Sequence, residues 1–133
     1  MTNYQLAAQL AMIAPWDRSW STTKVVEGVR DIVDQMVAYC GDEFVYFIQA
    51  RSARLIKIGR SQDPYRRLAQ LQLLSPVPLE VMATLPGGAE LERSLHGQFE
   101  FLRSHGEWFF AATHLVDFIS AATTHLPAIR RVS

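Results

Sequence analysis

VYFIQARSARLIKIGRSQDPYRRL, residues 45–68, predicts a strand, a loop, a second strand and a helix in succession. Aromatic and β-branched residues are concentrated in 44–49 and 54–59, which favours two short strands, and the four residues between them have a length typical of hairpin loops. The stretch holds six Lys and Arg and one acidic residue, whereas the whole chain has 13 basic and 13 acidic residues and no net charge. Any electrostatic attraction to a negatively charged partner would therefore be local.

The apolar pattern of the two strands predicts how they pair. A four-residue loop places Gln49 opposite Arg54 and therefore Tyr46 opposite Lys57, and opposed residues of antiparallel strands share a face. In this register one face of the hairpin is entirely apolar, formed by Val45, Phe47, Ile56 and Ile58. Tyr46 and Lys57 lie together on the other face.

The residues after the hairpin predict alternating helices and strands. Asp63 and Pro64 suit the N-cap and the first position of a helix that ends near residue 74. Arg67, Leu71 and Leu74 are spaced i, i+4 and i+7, so Arg67 would border the inward stripe of that helix and Arg66 would point further away. The next elements are a strand, a helix, a short strand or turn and a final helix, at about 79–85, 89–103, 106–109 and 113–125. The predicted fold class is α+β, with a small antiparallel three-stranded sheet flanked by helices.

The N-terminal part of the chain, residues 1–41, predicts a helical extension packed on a domain formed by residues 42–133. Residues 1–20 favour a short helix and a loop. After them, apolar residues recur at helical spacing and predict a longer helix that ends near Gly41, with a stripe of Val25, Val29, Ile32, Val33 and Met36.

Composition excludes several classes of protein. The chain has 133 residues, of which 49% are hydrophobic, so it is long enough to bury a core and too apolar to be disordered. Cys40 is its only thiol, which rules out an intrachain disulfide and a four-cysteine zinc site and fits a reducing cytoplasm. The apolar segment 6–14 is too short to span a bilayer. We therefore expect a soluble, cytoplasmic protein.

Polar residues of different predicted elements converge in this arrangement: Tyr46, Lys57, Arg67 and Glu92. Glu92 lies on the helix at 89–103, one turn before His96 and beside the apolar stripe. Phosphodiester hydrolysis uses a group that orients water, cations that offset phosphate charge, and a carboxylate that holds a divalent metal. Taken singly, each residue also has an ordinary structural interpretation, as a sheet tyrosine, a solvated cation, a surface carboxylate or a structural histidine. Their joint occurrence favours a functional site.

These residues and their surroundings resemble the GIY-YIG nuclease superfamily, in its bacteriophage-type branch with KIG in place of YIG. Phe44-Val45-Tyr46 matches the first tripeptide and Lys57-Ile58-Gly59 matches the second. Arg67, eight residues after Gly59, matches the catalytic arginine, and Glu92 in LERSLH matches the metal-binding glutamate. The segments GRSQDPYRRLAQLQ, ERSLHGQF and GEWF are also similar to that branch, so the resemblance covers roughly residues 44–120.

The chain departs from the superfamily pattern at three points. Phe44 replaces the glycine of the first tripeptide. Lys57 replaces the tyrosine of the second, which removes a phenol and adds a cation. Many members also have a late asparagine that supports the site, whereas Asn3 is the only asparagine of this chain. That supporting role is either empty or filled by another residue.

The resemblance implies an endonuclease that cuts DNA with Mg²⁺ or Mn²⁺. Tyr46 would orient or deprotonate the attacking water, alone or through His96, and Glu92 would bind the metal. Lys57 and Arg67 would stabilise phosphate charge, and a lysine beside Tyr46 is expected to favour the phenolate. Other cations would contact phosphates without sequence specificity: Arg54, Arg60 and Arg66.

Two other functions remain open on the sequence. The same fold could be a non-catalytic module that binds nucleic acid or protein, which the neutral charge and the missing asparagine favour. The N-terminal amphipathic helix could also make the chain a structural protein that dimerises. A nuclease this small has little surface for reading bases, so we expect its specificity to be weak or to need a homodimer or another partner.

Overall fold

The computed structural model describes residues 22–131, and the side chains of residues 28–123. The helix predicted within residues 1–20 lies outside the described residues. The elements follow one another as α1 (Thr22–Ala38), β1 (Phe44–Ala50), β2 (Leu55–Ser61), α2 (Pro64–Leu74), β3 (Glu80–Pro86), α3 (Ala89–Gln98), β4 (Arg103–His105), β5 (Trp108–Phe110) and α4 (Thr113–Arg131). The predicted α+β class is confirmed.

The sheet has five antiparallel strands in the order β3-β1-β2-β5-β4, so the prediction of a three-stranded sheet is wrong. The two additional strands form a hairpin whose turn contains Gly106 in the left-handed region, with φ 55°. Each of them has only three residues, which is too short for a period-two pattern to be visible in the sequence. β5 exists as a strand because it pairs with β2, a contact between distant parts of the chain.

The hairpin of β1 and β2 has the predicted faces but not the predicted pairs. Tyr46 lies opposite Gly59, and Lys57 lies opposite Ile48. The loop has four residues, as expected, but it begins one residue later, at Arg51, and closes with Arg54 in a left-handed conformation. The register therefore differs by two residues. Since an even shift leaves every side chain on its face, Tyr46 and Lys57 still share a face, as diagonal neighbours rather than a direct pair.

The two faces of the sheet are covered differently. The apolar face of the hairpin packs against α1, α3 and α4 and forms the main core, with Val45, Phe47, Ile56 and Ile58 fully buried. α2 covers the other face, where Tyr46 and Ile48 are buried. The predicted inward position of Leu74 is wrong, since Leu73 and Leu74 are both 87% exposed at the C-terminal end of α2.

α1 is part of the main core. Its predicted stripe is confirmed for Val29, Ile32, Val33 and Met36, which are all buried, and the helix packs on α3 and α4. The expectation that this segment packs on the following domain is thereby confirmed for the described helix. Among residues 22–131, no helix combines the length and the apolar character that crossing a bilayer requires.

Candidate active site at the open edge of β2

The candidate site lies where β2 loses its strand partner. β5 pairs with β2 only from Leu55 to Lys57, and the next backbone N–H, of Ile58, donates to the carbonyl of Glu107 at 3.0 Å. Within the described part of the chain, no strand pairs with this side of 59–61. α3 lies against this open edge, where His96 contacts the carbonyl oxygen of Ile58.

Tyr46 reaches this edge because its ring lies across Gly59. The two residues are directly opposed in the hairpin, and a Cβ placed on Gly59 would be 2.5 Å from Tyr46 Cζ. No side chain fits in that space without moving the phenol. The glycine of the second tripeptide is therefore required by a close approach between two strands.

The Tyr46 hydroxyl is held in its neutral form. Burial raises its pKa, and the carboxylates of Glu107 and Glu92 raise it further. The Arg67 guanidinium opposes this increase in the pKa. The expectation that Lys57 favours the phenolate is wrong, because the Lys57 ammonium is paired with Glu107, at 3.1 Å from Oε2. The cation that acts on the phenol is Arg67, from α2.

Glu92 is a partly buried carboxylate surrounded by charged side chains of both signs. Its side chain is 18% exposed, and its pKa is raised by burial first and by the charge of Glu107 second. His96, Arg60 and Lys57 oppose that increase in the pKa, with Arg60 Nε 4.0 Å from Glu92 Oε2. The ionised form of Glu92 is thus disfavoured in the folded protein, and an additional positive charge beside it would relieve the cost.

His96 connects α3 to the edge of β2. Its Nε2 lies 2.8 Å from the carbonyl oxygen of Ile58, and because a carbonyl can only accept, this nitrogen carries the proton. The ring also packs against Phe109, with 5.3 Å between centroids. Nε2 therefore makes a structural hydrogen bond to the edge of β2. Because His96 and Glu92 lie on the same helix, this bond also holds Glu92 near that edge, beside Gly59. In the neutral ring only Nδ1 remains as an acceptor.

The predicted cations occupy three different places. Arg60 is at the site but is ion-paired, with Nη1 3.0 Å from Glu43 Oε2. Arg66 and Arg67 are exposed on the first turns of α2, where Asp63 caps the helix through the backbone N–H of Arg66, at 3.1 Å. Arg54 lies in the hairpin loop, and β2 separates it from Gly59 by about 16 Å of strand. The fold therefore does not bring Arg54 to the site.

Glu107 is the residue that the sequence interpretation missed. It pairs with Lys57 and influences both Tyr46 and Glu92, although GEWF was used only as part of the family resemblance. The sequence feature that could have identified Glu107 is its position directly after Gly106, a glycine in a predicted turn. Glu92 and Glu107 supply two carboxylates to one site, and among the described residues no group of three or more His, Cys, Asp or Glu could hold a metal ion.

The fold and the site define an α+β domain with polar side chains gathered at an open strand edge, and the comparison with protein families connects this domain to nuclease-like or DNA-binding roles. Residues 43–122 match the model of the T5orf172 domain, and because this is more than half of the chain, the chain belongs to the T5orf172 domain family. The family is associated with phages and is related to GIY-YIG and HNH-like endonuclease folds. No curated protein and no solved structure matches the chain.

Proposed function

We propose that the chain is a divalent-metal-dependent endonuclease that hydrolyses phosphodiester bonds of DNA, with a site of the GIY-YIG type in its KIG form. The observation that carries the proposal is the convergence on Tyr46 of groups from three other elements. Arg67 from α2, Glu92 from α3 and Glu107 from the β4–β5 turn lie near enough to influence the pKa of its hydroxyl, and the missing side chain of Gly59 leaves the space in which the ring lies. A packing tyrosine needs no such surroundings.

In this proposal each side chain acts on one part of the hydrolysis, which adds one water across a P–O bond. Tyr46 enters as a neutral phenol and orients the attacking water by hydrogen bonding. Arg67 and Lys57 offset the charge that develops on the phosphate. His96 positions α3, and its Nδ1 is available to accept a proton.

The carboxylates of the site fit a hard divalent cation. Glu92 would hold Mg²⁺ or Mn²⁺, with Glu107 nearby, and the raised pKa of Glu92 indicates that a positive charge is favoured there. Mg²⁺ commonly uses one or two protein carboxylates and completes its shell with water and substrate phosphate oxygens. When bound, the ion would supply Lewis acidity and offset phosphate charge.

The test separates catalysis from binding. Glu92→Gln should abolish cleavage of a labelled duplex in Mg²⁺ or Mn²⁺ and leave its binding intact, or tighter at low metal, since a negative charge near the phosphate is removed. Glu90→Gln is the matched control, because Glu90 is an exposed glutamate in the first turn of the same helix. Arg67→Ala should weaken both binding and cleavage, because a phosphate-facing cation acts in the ground state and the transition state alike. Wild-type cleavage that survives Glu92→Gln would contradict the assignment of the metal ligand.

The second candidate function is that of a non-catalytic module that binds nucleic acid. The raised pKa of Tyr46 favours it, since no phenolate is present to act as a base at neutral pH. A wild-type protein that binds duplex but does not cut it with EDTA, Mg²⁺ or Mn²⁺ at matched salt would establish this alternative.

A further inference from the structure

Among the described ion pairs, Lys57 is the most enclosed cation, although its partner Glu107 is 41% exposed. The Lys57 side chain is 13% exposed, whereas Arg51 and Arg60 in comparable pairs are 78% and 43% exposed. Trp108, directly opposite Lys57 on β5, places its ring 5.6 Å from Nζ. The ammonium is thus covered on one side by an aromatic ring and held on another by a carboxylate.

The backbone fixes Glu107 in this position. Its carbonyl accepts the N–H of Ile58 at 3.0 Å, at the point where the pairing of β5 with β2 ends. The preceding residue, Gly106, has a φ of 55° and allows the tight turn that returns the chain to β2. Glu107 is therefore attached to the same strand edge that carries Lys57 and Gly59.

We propose that Glu107 is a positioning residue of the site, which holds the Lys57 ammonium beside Tyr46 and Glu92 and leaves its remaining N–H donors for a phosphate oxygen. An ammonium has three donors, and among the side chains described in 28–123 Glu107 is the carboxylate that pairs with it. An ion pair whose carboxylate is 41% exposed contributes little to stability, so stability alone does not account for this arrangement. The inference rests on the proposed nuclease function for the identity of the phosphate.

The charge of Glu107 also acts on residues other than Lys57. It is among the groups that raise the pKa of Tyr46 and of Glu92. Glu107 therefore lies close to both residues as well as to Lys57. Its direct side-chain contact is with Lys57, so in this proposal Glu107 acts on a phosphate through that ammonium.

The first experiment observes the ammonium directly. The chain has two lysines, Lys24 and Lys57, so a ¹H–¹⁵N spectrum of lysine side chains is simple to assign with Lys57→Met. We expect a Lys57 signal in the wild type, because a paired and shielded ammonium exchanges its protons slowly, and its loss in Glu107→Gln. A short duplex should shift this signal in the wild type. An unchanged Lys57 signal in Glu107→Gln would overturn the proposal.

The second experiment measures cleavage by single and double variants. Glu107→Gln should lower kcat about 10- to 100-fold, the usual effect of removing a residue that orients another, with duplex affinity nearly unchanged. The effects of Glu107→Gln and Lys57→Met should be strongly non-additive, because most of the effect of Glu107 on cleavage passes through Lys57, even though its charge also acts on Tyr46 and Glu92. Glu80→Gln is the control, since it breaks the pair with Arg51 at the far end of the hairpin, at 2.7 Å, and should retain wild-type kcat.

The outcomes separate this inference from the proposed function. Additive effects of the two substitutions, or equal losses in Glu107→Gln and Glu80→Gln, would overturn the positioning role while cleavage by the wild type stands. A wild type without cleavage would overturn the nuclease function. In that case the duplex-induced shift of the Lys57 signal, present in the wild type and absent from Glu107→Gln, would still support the positioning of Lys57.

Discussion

Gly59 determines where the Tyr46 phenol can lie. In an antiparallel hairpin, directly opposed residues normally place their side chains next to one another, about 5 Å apart. Here one member of the pair has no side chain, and the tyrosine ring occupies the vacated space over its backbone. The hydroxyl is thereby brought toward the open edge of β2, within reach of the charges of Arg67, Glu92 and Glu107.

Gly59→Ala tests this dependence. The added methyl collides with the phenol, which must move away from Arg67 and Glu92, so cleavage should fall at least as far as in Tyr46→Phe. Overpacking of this kind should also cost about 1–3 kcal/mol of unfolding free energy, measurable by urea denaturation.

Gly97→Ala is the matched control for that substitution. Gly97 lies on α3, and a Cβ there has no neighbour within 4 Å. Alanine in a helix should be neutral or stabilising by about 0.5–1 kcal/mol, with cleavage unchanged. Wild-type activity and stability in Gly59→Ala would contradict the close approach of the tyrosine ring.

Glu92 should destabilise the metal-free protein at neutral pH. Its pKa is raised in the folded state by burial and by Glu107, so its proton is bound more tightly there than in the unfolded chain. The favourable contribution of the protonated group is present below the unfolded pKa, about 4.3, and is lost as pH rises through the folded value. In EDTA at pH 7, Glu92→Gln should therefore have a higher Tm than the wild type.

The same comparison at low pH completes the test. Near pH 3 the wild-type carboxyl is largely protonated in both the folded and the unfolded state, so the difference in Tm between the two proteins should shrink toward zero. If the difference in Tm is the same at both pH values, the effect of Glu92→Gln does not come from the charge of Glu92. Glu90→Gln, in the exposed part of the same helix, is the comparison for a general loss of one negative charge.

At the scale of elements, the site is assembled by the docking of α3 and of the β4–β5 hairpin on β2. Leu91 and Leu95 anchor α3 in the core, and His96 binds the backbone of Ile58 at the edge. These contacts set the position of Glu92. The hairpin brings Glu107 to the same edge through its backbone bond to Ile58.

α1 supports this assembly from the core side, since it packs on α3. Ile32 is completely buried, so Ile32→Ala should cost about 2–5 kcal/mol in urea denaturation. Asp31→Ala, at the exposed neighbouring position, should stay within about 0.5 kcal/mol of the wild type. The same burial predicts that deleting residues 1–40 gives a poorly soluble or molten protein. A cooperative Ile32→Ala variant of unchanged stability would show α1 to be peripheral.

On the scale of the whole molecule, the positive charge of the hairpin is smaller than the sequence indicates. Acidic residues distant in sequence neutralise several of its cations, in the pairs Arg51–Glu80, Lys57–Glu107 and Arg60–Glu43. Among the side chains described in 28–123, no carboxylate pairs with Arg54, Arg66 or Arg67. The cations still available to a phosphate backbone are therefore mostly those of α2, and we expect DNA to approach across α2 and the open edge of β2.

The sequence by itself determined the α+β class, the two faces of the hairpin, the capped helix α2 and the buried stripes of α1 and α3. These features follow from local periodicity and capping, which a few neighbouring residues specify. It also placed Tyr46, Lys57, Arg67 and Glu92 on the elements that carry them. Only the tertiary structure decided the exact register, the two short strands, the direction of the Tyr46 pKa shift and the position of Glu107 beside Lys57. Each of these depends on contacts between residues far apart in the chain, where burial and the sum of several charges, rather than local pattern, determine the result.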